Sequence, residues 1–223
     1  MQMVSLKLYR GASATPGQGS SVSNRAEMSD EQLCDALAAG EPWAADVLYD
    51  RVEDTVDTVL FRVVGAGDAE RDDLMQQALE KLINTVVSGQ FGRRCSIKSW
   101  ATLITQHVAY DALRTRARER TVLDRTVTHQ ALELVAVQGD TPERATEVRR
   151  RVAALHVALA ATKRDRAEAV ILHDLLGHEL AEIARLTGVS VAAAQSRLVR
   201  GRRDVTERML KEENKNKKKG GRR

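Results

Sequence analysis

Leu180-Ala181-Glu182-Ile183-Ala184-Arg185-Leu186-Thr187-Gly188-Val189-Ser190-Val191-Ala192-Ala193-Ala194-Gln195-Ser196-Arg197-Leu198 is the stretch that decides how this chain folds. Apolar Ile183, Leu186, Val189, Ala194 and Leu198 recur at helical spacing on either side of one break. Gly188 sits at that break, where a tight turn between two helices demands a positive φ that glycine adopts freely. Ala184, four residues earlier, is small enough for two helices to cross closely. Ser190 follows the turn as a side-chain cap for the second helix. The pattern is that of a helix-turn-helix.

The outward face of its second helix carries Gln195, Ser196, Arg197, Arg200, Arg202 and Arg203. Glutamine and arginine reach base edges in the major groove, and surplus arginine neutralises phosphates. The plainer reading is a helical hairpin with a cationic exposed face. The turn glycine, the cap and the arginine-rich second helix together favour DNA binding. Taken alone, the motif does not separate one class of helix-turn-helix protein from another.

Upstream the chain reads as helix after helix. Thr141-Pro142-Glu143 is a helix start, with a capping threonine, proline at the first helical position and an acid at the positive end of the dipole. Val148, Val152, Leu155 and Leu159 continue it as an apolar stripe, and the chain runs on through Val170-Ile171-Leu172 to Gly177 and two short helices. Residues 121–140 are weakly periodic and read as a linker. Before them come helices over about 44–64, 69–87 and 99–120, and the first of these is opened by a shorter helical region at Ser29-Asp30-Glu31-Gln32, a capping-box spacing. Residues 1–28 are rich in Ser, Gly and Ala and read as a flexible leader, in which Met28 is a candidate start. Residues 211–223, rich in Lys, Asn and Gly, read as a disordered basic tail.

Composition favours an all-α chain, and its length allows one or two compact domains. Of 223 residues, 43% are hydrophobic but only 3% aromatic, so the core is built from Leu, Val, Ile and Ala; three prolines leave long stretches free to be helical. Net charge is a modest +4, yet residues 41–90 hold 11 acidic against four basic residues, and residues 197–223 hold 12 basic against four acidic. That asymmetry suits one surface meeting a basic protein and another meeting nucleic acid, or an acidic solvated face and a basic tail. Cys34 and Cys95 lack metal-ligand spacing, so neither a metal site nor a cofactor is expected. No stretch approaches the roughly 18 apolar residues of a membrane span, and the start has no signal-type apolar core, so a cytoplasmic protein is expected.

The order of the blocks carries more than any one of them. Asp72-Asp73-Leu74-Met75-Gln76-Gln77-Ala78-Leu79, then Ser99-Trp100, then Asp111-Ala112-Leu113-Arg114, then a linker and the helix-turn-helix, resembles the sigma-70 family of RNA polymerase sigma factors. More narrowly it resembles the extracytoplasmic-function (ECF) group, which keeps only regions two and four. The resemblance covers residues 44–209. It implies a region 2-like domain over 29–120 and a region 4-like domain over 141–210, with core polymerase (β′ clamp and β flap) and promoter DNA as partners. An anti-sigma factor is the regulator it implies, and in the holoenzyme the chain would sit at the nucleoid.

The resemblance also assigns residues. Asp72, Asp73, Leu74, Gln76 and Gln77 match the helix that docks on the clamp. The segment Phe91 to Ser99, with Arg93, Arg94 and Lys98, matches the loop that captures an unstacked base of the −10 element, and Trp100 follows it as either a core residue or a base contact. Gln106, His107, Asp111, Arg114 and Arg116 fall on the helix facing −10 DNA, where Asp111 would alternatively brace Arg114. Ser190, Gln195, Ser196, Arg197, Arg200, Arg202 and Arg203 fall to the −35 element. The chain departs from the family pattern at Gln77 (usually Glu), Leu79 (usually aromatic) and at Ala194-Gln195 (usually Val-Lys).

Two other readings compete. A stand-alone helix-turn-helix transcriptional regulator would use the C-terminal motif alone and bind as a dimer. An enzyme such as a recombinase needs a catalytic centre, and the N-terminal half offers no Ser/Arg or carboxylate constellation on strands. His178-Glu179 lacks the second histidine of a zinc-protease helix. No catalysis is expected.

Overall fold

A computed structural model describes residues 28–65, 68–123 and 142–220. Residues 1–27, the break at 66–67, most of the expected linker with the Thr141 cap, and residues 221–223 lie outside them. Among the described residues there are eight α-helices and no strand: α1 (Asp30–Ala39), α2 (Ala44–Val63), α3 (Arg71–Val87), α4 (Ile97–Leu123), α5 (Pro142–Ala161), α6 (Arg164–Val170), α7 (Leu180–Thr187) and α8 (Val191–Gly220). A π-helical turn, Ile171–Leu175, extends α6.

Local chemistry sets the ends. Ser29 and Gln32 form the expected capping box at α1: the Gln32 N–H donates to Ser29 Oγ at 3.2 Å and the Ser29 N–H to Gln32 Oε1 at 3.0 Å. Gly40 ends that helix in the left-handed region, φ 75°. In the helix-turn-helix Gly188 does the same at φ 69°, and Ser190 Oγ accepts the Ala193 N–H at 3.2 Å.

The first unit packs α4 against α2 and α3 around Leu48, Val52, Val59, Leu60, Leu82, Ile97 and Val108, all buried, and α1 closes one side with Leu33 and Leu37. The second unit packs α5, α6 and α7 each against α8. The two units share one continuous apolar core, which includes Leu159, Val170 and Ile171. Tyr110 on α4, 1% exposed, donates its hydroxyl hydrogen to the Thr162 carbonyl at 2.8 Å. Arg164 holds Asp111 at 2.8 Å, with its guanidinium 5.6 Å above the Tyr110 ring. Leu103 leaves the first unit's core and packs instead with Leu172, Ile183, Ala184 and Ala194 of the helix-turn-helix.

Two expectations are corrected. The C-terminal helix is not short, and residues 211–220 are helical: α8 runs 30 residues to Gly220. Its first half is docked, so the nucleation cost is met there, and Lys and Glu, good helix formers uninterrupted by proline, propagate it. Helix α4 likewise starts two residues earlier and ends three later than expected, because its Arg- and Ala-rich end contains no breaker.

Gly201 marks the closest approach between helices. A Cβ there would lie 2.6 Å from the Arg166 carbonyl oxygen and 2.7 Å from a Val170 methyl, and Arg166 and Asp204 pair across the same crossing at 2.6 Å. In an open helix Gly→Ala stabilises by about 0.5–1 kcal/mol. Here Gly201→Ala is expected to destabilise by about 1–3 kcal/mol because backbone must move. Urea unfolding decides the sign, and a stabilised variant would contradict the crossing.

Candidate nucleic-acid interface

The expected −35 residues lie on the first half of α8, and acidic neighbours divide them into two sets. Gln195 and Arg200 are exposed, and Arg200 has no ion pair among the described residues. Arg197 turns toward Asp165 of α6, 3.7 Å away. Arg202 grips Asp174 of the π-helical turn, Nε to Oδ2 at 2.9 Å, and reaches His173 Nδ1 at 3.2 Å. The Arg202 hydrogen bond holds the Asp174 carboxyl below its ordinary range. Arg203 stands 3.9 Å from Glu207 on its own helix. Ser190 is used as the cap.

The expected −10 residues divide the same way. Arg94 and Lys98 are exposed with no ion pair among the described residues, whereas Arg93 pairs with Asp35 of α1. Trp100 is a packing residue first: its indole N–H donates to Thr85 Oγ1 at 3.1 Å and its ring lies 5.5 Å from Phe91. On α4, Arg114 is exposed. Arg116 is held by Asp68 and by Glu70, the latter at 2.7 Å. Gln106 is 0% exposed with neither amide atom hydrogen-bonded among the described residues. His107 Nε2 meets Glu168 Oε1 of α6 at 2.5 Å. Asp111 braces Arg164 rather than Arg114. Gln106, His107 and Asp111 therefore face the second unit in this arrangement.

The residues expected at the polymerase lie on α3. Asp72, Asp73 and Gln77 are exposed, Gln76 Nε2 donates to Glu80 at 3.0 Å, and Leu74 is 4% exposed and anchors the helix in the core. A groove of about 1140 Å³ runs between α3 and α4, lined among others by Glu70, Gln77, Glu80, Asp111, Arg116 and Glu119. Its acidic walls suit a basic partner. The acids that neutralise the arginines (Asp35, Asp68, Asp165, Asp174), and Glu168 beside His107, were not signalled by the sequence. Each lies far along the chain from its partner, so no local spacing signals it. Cys34 and Cys95 are unpaired thiols that burial pushes upward, and among the described residues there is no metal-binding cluster and no helix long and apolar enough to cross a membrane.

Comparison with known proteins gives this arrangement its family. Residues 48–119 match the family description "Sigma-70 region 2" and residues 153–205 match "Sigma-70, region 4". The chain is 28% identical over 178 residues to the ECF RNA polymerase sigma factor SigM of Mycobacterium tuberculosis, covering 80% of this chain and 83% of that one. It is 28% identical over 182 residues to the probable RNA polymerase sigma-C factor of Mycobacterium bovis, covering 79% and 91%. Among solved structures it is similar to CnrH in complex with the cytosolic domain of CnrY, with TM-score 0.46 and 20% identity over 80% of this chain and 95% of that one. The sigma factor RpoE bound to the anti-sigma factor NepR from Bartonella quintana is also similar, with TM-score 0.43 and 21% identity over 73% and 94%. A stand-alone regulator accounts for region 4 but leaves region 2 unexplained. With both regions present in order over more than half of the chain, this protein belongs to the ECF group of the sigma-70 family: it is an RNA polymerase sigma factor, which binds core polymerase and directs promoter recognition and transcription initiation.

Proposed function

We propose a division of labour within that function. A domain over residues 29–120 docks on core polymerase through the exposed acids and glutamines of α3, with Asp73 and Gln76 central, and holds the −10 strand with Arg94, Lys98 and Arg114. A domain over residues 141–210 reads the −35 duplex with Gln195, Ser196 and Arg200. Arg197, Arg202 and Arg203 act beside them, chiefly by setting the helix. The chain works as a non-catalytic subunit in the cytoplasm, at the nucleoid when in holoenzyme, and an anti-sigma factor masks it.

The observation that carries this reading is the sorting of cations. Exposed cations without an ion pair among the described residues sit on both units, Arg94 with Lys98 on one and Arg200, beside Gln195, on the other, as two separate DNA elements require. Gln106, His107 and Asp111 are covered by α5 and α6, so they join the −10 site only when the two units separate. Core polymerase binding supplies that separation, since the two domains then serve two separate promoter elements.

Replacing Asp73 and Gln76 together with alanine is expected to weaken core binding about tenfold, a change of about 1.4 kcal/mol, and to abolish run-off transcripts from genomic promoter fragments. Unchanged core affinity would move the docking surface away from α3. Arg200→Ala is expected to cost −35 duplex affinity about 1–3 kcal/mol, the scale of one base contact, with little change in unfolding midpoint. Arg202→Ala is expected to do the reverse, lowering stability more than sequence discrimination, because its guanidinium is spent on Asp174. Fluorescence anisotropy on wild-type and base-substituted duplexes, beside urea melts, separates the two.

A further inference from the structure

Helix α1 lies outside the matched region 2 residues, yet it touches the expected −10 loop at two points. Asp30 is the first. Its Oδ2 accepts the backbone N–H of Ile97, the first residue of α4, at 2.8 Å, across 67 residues of sequence. Its Oδ1 accepts from Arg51 Nη1 at 2.8 Å, and Arg51 Nη2 in turn donates to the Met28 carbonyl at 2.6 Å. The capping box at Ser29 fixes the backbone that carries this carboxylate. Ile97 is fully buried, so its N–H would otherwise be an orphan at a helix start. The local cap, Ser96 Oγ, is occupied by the Ser99 N–H at 3.1 Å. A negative group here also favours the positive end of the α4 dipole.

Asp35 is the second point. It pairs with Arg93, which among the described residues is the only non-glycine with positive φ, 52°. A bulky residue in the left-handed region is held there by its surroundings. Phe91 pins the start of the same loop against Trp100. Arg94 and Lys98, placed between and beside these anchors, are left exposed.

We propose that α1 is the positioning element of the −10 loop: Asp30 caps α4 from outside, and Asp35 holds Arg93 as an internal anchor, so that Arg94 and Lys98 rather than Arg93 face the DNA. This rests on reading residues 91–99 as the −10 loop. It reassigns Arg93 from a DNA contact to a positioning residue.

A charge swap tests it. With the full chain in holoenzyme, affinity for core and for a fluorescent single-stranded oligonucleotide from a promoter mapped by run-off transcription are measured side by side. Arg93→Asp and Asp35→Arg alone are each expected to weaken oligonucleotide binding about tenfold while core affinity holds. Aspartate tolerates the left-handed backbone at position 93 well. The double variant, which restores the pair reversed, is expected to recover most of the loss. A double variant as weak as Arg93→Asp would overturn the anchor role and return Arg93 to the DNA. For Asp30→Ala the readout is amide exchange at Ile97 in the isolated chain, which needs neither polymerase nor promoter. Exchange is expected to accelerate, and an equally protected amide would sink the external cap. If Arg94→Ala/Lys98→Ala binds the oligonucleotide like wild type while Ile97 exchange responds to Asp30→Ala, the −10 reading fails and the brace alone stands.

Discussion

The closed arrangement of the two units depends on burying one hydroxyl. Aromatic residues make up 3% of the chain, and Tyr110 is the largest side chain that is fully buried. Its ring fills α4 toward the second unit, and its O–H must find an acceptor there, because an unpaired hydroxyl in that environment costs several kcal/mol, roughly 2–7. The acceptor is the Thr162 carbonyl at the end of α5. Thr162 is itself held in place, its own hydroxyl returned to the Ala158 carbonyl at 2.8 Å. Where α5 ends, α6 begins, and α6 crosses α8 at Gly201. In the closed arrangement the recognition helix thus inherits its place against α4 in part from that hydrogen bond.

That inheritance makes α4 serve two purposes that compete. One side completes the core with α2 and α3; the other carries residues suited to a nucleic-acid strand and is covered by the second unit. The cover is held mainly by apolar packing. Its polar contacts, such as Arg164 with Asp111 at 46% and 47% exposure, belong to the class worth about 0–1 kcal/mol each. Gln106 opposes it, since each buried amide group left unpaired costs about 1–3 kcal/mol. Apolar packing of Leu103 and Tyr110 outweighs this in the closed arrangement.

The helices were legible in the sequence because their signals are local. Gly188, Ser190, Ser29 with Gln32, and Pro142 each act through neighbours within four residues, and the structure uses all of those it describes, Pro142 as the first residue of α5. The family was legible because its blocks recur in order along the chain. What was not legible is pairing between distant residues. Nothing near Arg202 announces Asp174, and nothing near Arg116 announces Asp68, 48 positions away. An arginine-rich face therefore read as uniformly available when it is not. Leu74 stands both inside the docking motif and on the apolar stripe with Ala78 and Leu82, and its side chain is buried with that stripe. The extent of α8 was lost because Lys and Asn enrichment reads as disorder, although a helix already nucleated by packing needs only residues that do not stop it.

Charge sorting also explains how such a fold tolerates change in what it reads. Arg197 and Arg202 are bound to the acids of α6 and the π-helical turn, so altering them disturbs the seat of the helix. Gln195 and Arg200 are exposed, and no ion pair holds Arg200 among the described residues. Substitutions there alter the surface offered to base edges without opening a cavity or stranding a buried charge, the two events that make mutations costly. Net charge, at +4 for the whole chain, measures none of this. What matters is which cations the fold has already neutralised: on α8, Asp165 and Asp174 take Arg197 and Arg202, while Arg200 stays exposed without an ion pair among the described residues.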